Sequence, residues 1–144
     1  MRWLLALAVP VLCCAQQATF SLSSANIKPG HKGFLDLRID SRVSVAIEWA
    51  IELPPNVVVV AVSQRAGSRR AAKLLSCDCC EERHCLAVGM NVTPISGPVA
   101  RIHIRAFENA PPGDHPVPLS IALAADSLAR NVSVETKAGL IRIR

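Results

Sequence analysis

The chain has 144 residues, a length that suits one domain able to bury roughly 70% of the surface its unfolded form exposes. It carries 16 Lys+Arg against 11 Asp+Glu, with no Tyr, two Trp and three Phe. The basic residues are spread along the chain and stacking aromatics are scarce, which argues against a nucleic-acid binder.

Residues 1–15, MRWLLALAVPVLCCA, read as a secretory signal: Arg2 supplies a positive start, Trp3 to Leu12 an apolar run, and Cys13-Cys14-Ala15 small residues before Gln16. The run is shorter than the roughly 20 apolar residues a bilayer span needs, so no transmembrane segment is expected. Cleavage is expected after Ala15, leaving residues 16–144 as one domain in the extracellular or periplasmic space. Lipid attachment at Cys14 is the weaker alternative, because Leu12-Cys13 is an awkward lead-in for it.

From residue 17 on, apolar residues recur with period two between Pro/Gly turns, the pattern of strands with one buried face. Phe20 and Leu22 open it, and Lys28-Pro29-Gly30-His31-Lys32-Gly33 turns the chain. Leu35, Leu37 and Ile39 then share a face, followed by the longest alternation, Val43, Val45, Ile47, Trp49, Ile51 and Leu53, up to Pro54-Pro55. Val57 to Val62 is continuously apolar, as expected of a strand covered on both faces or central in a sheet. Gln64 to Arg70 reads as a basic loop, and Arg65, Arg69, Arg70 and Lys73 could meet an acidic partner or simply be solvated. Leu74 to Cys77 and Cys85 to Met90 flank a cysteine-rich tip, and Asn91 to Pro98 is a turn. Val99 to Phe107 places Ala100, Ile102, Ile104 and Ala106 inward and Arg101, His103 and Arg105 outward. Val117, Leu119, Ile121 and Leu123 form a further strand, Val132 and Val134 a short one, and Ile141 and Ile143 close the chain. Strands at this spacing, with no helix of useful length, predict an all-β single sandwich of jelly-roll type with about nine strands.

The tip Ser76-Cys77-Asp78-Cys79-Cys80-Glu81-Glu82-Arg83-His84-Cys85 holds the four disulfide candidates Cys77, Cys79, Cys80 and Cys85. In an exported chain oxidation is the expected state, and a bridge between Cys77 and Cys85 would tie two strands at the base of a hairpin. That pairing leaves the adjacent Cys79 and Cys80 to each other, a strained bond, and three complete pairings stay open along with free thiols. A zinc site of sulfurs plus His84 lacks the spacers such sites use.

No catalytic residue, metal or cofactor is expected. His31 and His115 fall in turns, His84 in the tip and His103 among outward arginines, without the partners that acid/base or nucleophilic chemistry requires. Glu48 and Glu52 stand about 13 Å apart by strand rise, beyond a glycosidase carboxylate pair. Trp49 belongs to the inward set, which removes the best candidate for a sugar-stacking platform. The outward row Arg101, His103 and Arg105 is the candidate binding face, and Asn91-Val92-Thr93 and Asn131-Val132-Ser133 fit the glycosylation triplet.

The order of motifs resembles a cohesin-type domain, the jelly-roll receptor module of cellulosome scaffolds. Carrying the resemblance are Phe20-Ser21-Leu22 with Lys28-Pro29-Gly30, the segment from Val45 to Leu53, Val58 to Val62 leading to Ala66-Gly67, Gly97 to Ile104, and Ala138 to Ile143. Val45 to Leu53 stands where that family carries a long strand of its binding sheet, and the tip resembles exported relatives with a cysteine on either side of this hairpin. The resemblance implies a nine-stranded sandwich without enzymatic activity that recognises a protein partner, such as a calcium-loaded dockerin, through one sheet face. An extracellular polysaccharide is the alternative partner, by likeness to carbohydrate-binding modules. Leu53-Pro54 replaces the aromatic and aspartate of many dockerin binders, so no contact residue is carried over.

Overall fold

The computed structural model describes residues 17–78 and 83–144, so the residues expected to form a signal, and Cys79 and Cys80, lie outside the described residues. Among the described residues, twelve strands and one short helix form: β1 (Gln17–Leu22), β2 (Ser24–Ile27), β3 (Lys32–Asp40), β4 (Ala46–Ile51), β5 (Val57–Gln64), α1 (Ala66–Arg70), β6 (Leu74–Cys77), β7 (His84–Val88), β8 (Gly97–Ala106), β9 (Gly113–Val117), β10 (Leu119–Ala125), β11 (Asn131–Lys137) and β12 (Gly139–Ile143). Three breaks, at Ser23, Pro118 and Ala138, divide long runs into segments that change sheets, which reconciles twelve segments with the nine expected.

The strands make one nine-stranded sheet in the order β5-β8-β3-β1-β11-β10-β4-β7-β6 and a three-stranded sheet β2-β12-β9. In the large sheet, β11 is the seam. It runs parallel to β1, with Ala18 opposite Val134, and antiparallel to β10, with Ala124 opposite Val132. Folding about that seam turns the inward residues of β5-β8-β3-β1 and β10-β4-β7-β6 toward a common core. Phe20, Leu35, Leu37, Ile39, Ile102 and Ile104 from one half join Ile47, Trp49, Ile51 and Ala87 from the other. Period-two alternation therefore dictates the fold wherever one face of a strand is covered.

Four readings change. Alternation fails before Ala46: Ser44 is fully buried while Val43 and Val45 are only partly covered, because Ser41 Oγ accepts the Ser44 N–H at 3.1 Å and the two hydroxyls bond at 2.7 Å. The apolar run Val57 to Val62 is not central but an edge strand, and a bulge between Val59 and Ala61 turns Val60 to solvent. Pro118 separates Val117 from β10, and a bulge between Leu119 and Ile121 shifts the register, so Ala122 and Ala124 face inward and Leu123 outward. The stretch read as a basic loop holds α1, whose Gly67 lies so close to the next segment that a Cβ there would stand 2.3 Å from the Ser96 carbonyl oxygen. No described helix is long and apolar enough to cross a membrane.

Candidate functional site

Two outer sheet surfaces could bind a partner, and their side chains differ in kind. On β5-β8-β3-β1, the outward positions of β8 are the expected row Arg101, His103 and Arg105, facing Asp36, Phe34 and Lys32 of β3. Arg101 is already engaged. Its Nε donates to Asp36 Oδ1 at 2.8 Å and its Nη2 to Oδ2 at 2.9 Å, a bidentate fork, while the guanidinium lies 3.8 Å from the Phe34 ring centroid. That hydrogen bond from Arg101 holds the Asp36 carboxyl below the usual carboxylate range against partial burial, and the Arg101 guanidinium pKa rises in return. His103 Nε2 lies 3.2 Å from Ser63 Oγ, and Arg105 sits 5.9 Å from the Phe107 centroid. The strand pairing brings the three predicted residues onto one face, and their charge and rings are largely satisfied from within the chain.

On β10-β4-β7-β6 the outer surface is apolar and open. Register places Ser76, Leu86, Glu48 and Leu123 in one row across the four strands. Beside it Leu74 faces Val88 and Ala46 faces Ala125, and on the other side His84, Ala50 and Ile121 line up. Leu74, Leu86, Val88 and Leu123 are 76%, 39%, 37% and 56% exposed, and a depression of about 240 Å³ lies between Leu86 and Leu123. Aliphatic side chains left in water together on an ordered sheet make this the candidate interaction surface, since each forgoes the burial that folding gives other aliphatic residues.

The polar centre of this surface was not foreseen. His84 begins β7 instead of hanging in the tip, and its Nε2 meets Glu48 Oε1 at 2.5 Å while Nδ1 lies 3.4 Å from Asp78 Oδ2. Glu48 is thereby paired across strands and serves no carboxylate dyad. His115 likewise lies in β9 and not a turn, its Nε2 2.7 Å from the Pro111 carbonyl oxygen.

Of the disulfide candidates, Cys77 and Cys85 stand directly opposite on β6 and β7 and are bonded. The bridge lashes the edge strand β6, which carries Leu74, to the rest of the surface. Trp49, 1% exposed, packs beneath it in the core. Of the glycosylation triplets, Asn91 is committed: its Oδ1 accepts from Lys73 Nζ at 2.8 Å and from the Thr93 N–H at 3.0 Å, and its Nδ2 donates to the Ala71 carbonyl at 3.1 Å. Lys73, far from solvated, is 3% exposed, and desolvation lowers its pKa.

Comparison with solved structures places this architecture. A non-cellulosomal cohesin from the hyperthermophilic archaeon Archaeoglobus fulgidus superposes with a TM-score of 0.73 at 19% identity, covering 89% of this chain and 91% of that one. The type I cohesin–dockerin complex from Clostridium thermocellum matches with a TM-score of 0.75 at 13% identity, over 89% of this chain and 99% of the matched chain. The third ScaB cohesin of R. flavefaciens, in complex with a group 1 dockerin, matches with a TM-score of 0.74 at 12% identity, over 91% and 97%. No family model and no curated protein matches the chain. The class defined by the sandwich and its seam is thus the jelly roll. Within that class, the fold of this chain is the cohesin fold.

Proposed function

We propose that the chain is a secreted, non-catalytic protein-binding module that engages a dockerin-like partner through the outer surface of β10-β4-β7-β6. The observation that carries this reading is the alignment of Leu74, Leu86, Val88 and Leu123 on one ordered sheet surface. Two structural neighbours are complexes with dockerins, and a third is described as non-cellulosomal, so a partner outside a cellulosome fits the fold equally well. Export after cleavage at Ala15 agrees with the bridge between Cys77 and Cys85, which suits an oxidising compartment. The polysaccharide alternative finds no support: Trp49 is buried, and the exposed rings of Phe34 and Phe107 each have an arginine over them. The cationic row Arg101, His103 and Arg105 is the second candidate surface, ranked lower because Arg101 is already tied to Asp36.

The deciding experiment immobilises residues 16–144 and captures from the host's secreted fraction, with calcium and with chelator, identifying the retained protein by mass spectrometry. Retention of a dockerin that is lost with chelator and lost in L86D/L123D is expected. Chelator-resistant capture counts against a dockerin. Capture that survives L86D/L123D but fails in R101Q/R105Q moves the site to the opposite surface.

A further inference from the structure

A cleft of about 390 Å³ opens where α1, the 91–96 loop and the end of β3 meet, away from the apolar surface, and it is lined among others by Arg38, Arg70, Thr93, Ser96 and Gly97. Arg38 is delivered by a register shift after Leu37 that sets it opposite Pro98, and Arg70 comes from the last turn of α1. Neither guanidinium has a hydrogen-bond, ion-pair or ring partner among the described residues, and no carboxylate lines the cleft. By contrast Arg101 of β8 reaches Asp36, Arg105 of β8 the Phe107 ring, and Arg142 of β12 and Arg144 just after it Asp114.

The walls are fixed independently of those two side chains. Ser68 Oγ donates to the Val99 carbonyl at 2.9 Å, and the Arg65 N–H donates to the same oxygen at 2.9 Å, docking α1 on β8. The loop is pinned by the three Asn91 bonds, including that from buried Lys73, and by fully buried Ile95, whose N–H donates to the Ser44 carbonyl at 2.7 Å. Gly97 holds φ +86°, a conformation that disfavours any side chain, and its Cα side faces Arg70, whose Nη2 would lie in ordinary contact, 3.5 Å, with a Cβ placed there.

Two cations that line one cleft with no carboxylate among its lining residues give it a positive field that favours an anion. Guanidinium forks match the paired oxygens of carboxylate, phosphate and sulfate, and the hydroxyls of Thr93 and Ser96 add donors at the rim. The volume stands at the low end of the range for small-molecule sites. We propose that this cleft is a binding site for a small oxyanion, free or as the acidic terminus of a larger ligand, held by Arg38 and Arg70. It stands apart from the partner surface, and neither reading depends on the other.

The test is a heteronuclear NMR titration of residues 16–144 with sodium phosphate, sulfate and acetate against sodium chloride at matched ionic strength. Saturable shifts confined to the amides of residues 70–71, 93 and 95–97 are expected for the oxyanions and not for chloride. R38Q/R70Q should weaken binding at least tenfold, R70K severalfold because it keeps charge but loses the fork, and R142Q not at all. Tighter binding of phosphate or sulfate assigns a tetrahedral ligand, and tighter binding of acetate a carboxylate one. Unsaturable shifts equal to those with chloride, or an unchanged affinity in both R70K and R38Q/R70Q, overturn the site.

Discussion

The two outer surfaces of the large sheet are built from the same alternating strands, yet one is chemically closed and the other open. On β5-β8-β3-β1 a charge added to the outside brings its own partner: Arg101 has Asp36 and Phe34, and His103 has Ser63. On β10-β4-β7-β6 the one polar cluster among the described residues is Glu48, His84 and Asp78, and Leu74, Leu86 and Leu123 around it stay exposed. The difference teaches that exposed charge is a poor guide to a binding surface when the chain satisfies that charge itself, while exposed aliphatic area has no such internal remedy.

The largest way to break the contrast is to undermine the open surface from below. Trp49→Ala removes the largest fully buried side chain, and an unfolding free energy lower by about 3–5 kcal/mol is expected in urea titrations. Next in size is the bridge. It closes a loop between residues 8 apart in sequence, and Cys77→Ser with Cys85→Ser should cost about 2.5 kcal/mol in the same titrations. Partner affinity should fall with it while the Arg38 and Arg70 cleft keeps its anion affinity, since only β6 and β7 are loosened. Leu123→Asp should leave stability within about 0.5 kcal/mol, because the side chain is exposed, and should weaken partner binding by about 2 kcal/mol or more in calorimetry. Arg105→Gln on the opposite surface is the matched control, with no change expected.

The smallest effect concerns the closed surface. The Asp36 carboxyl is depressed in the folded chain by Arg101, so its contribution to stability is present above the ordinary carboxylate value of about 3.9 and is lost as pH falls through the lower folded value. Asp36→Asn should therefore lower stability by about 1 kcal/mol at neutral pH and flatten the decline in acid, read from denaturant midpoints between about pH 5 and 2. A residual slope should remain from Asp126, whose carboxyl is lowered first by the Arg130 backbone N–H and also by Leu128 and the Arg130 side chain.

Strands β3 and β12, and β8 from Ala100 on, could be read from the sequence, because each alternates against a single core and Leu35, Ile102 and Ile141 have no competing placement. The apolar surface could not be read as such. In β7 the sequence HCLAV is apolar at both parities, with Cys85 and Ala87 inward and Leu86 and Val88 outward, and in β10 LSIALAA does the same. A strand apolar on both faces is the signal that was available. Without the register it reads only as hydrophobic: Val117 and Leu119 keep the core side as expected, while past the bulge Ala122 and Ala124 face inward in place of Leu123. The pairing of Glu48 with His84 joins residues 36 apart, and the Arg38 and Arg70 cleft joins β3 to a helix that was read as a loop.

By itself the sequence determined the all-β class, the inward position of Trp49, and the composition of the row Arg101, His103 and Arg105, because period two and turn chemistry are local properties of the chain. Only the tertiary structure decided which of four cysteines Cys77 pairs with, where the strands change sheets, and which outward residues keep company. Those depend on register, and register is set by the fit of two whole sheets around one core, a property no single strand contains.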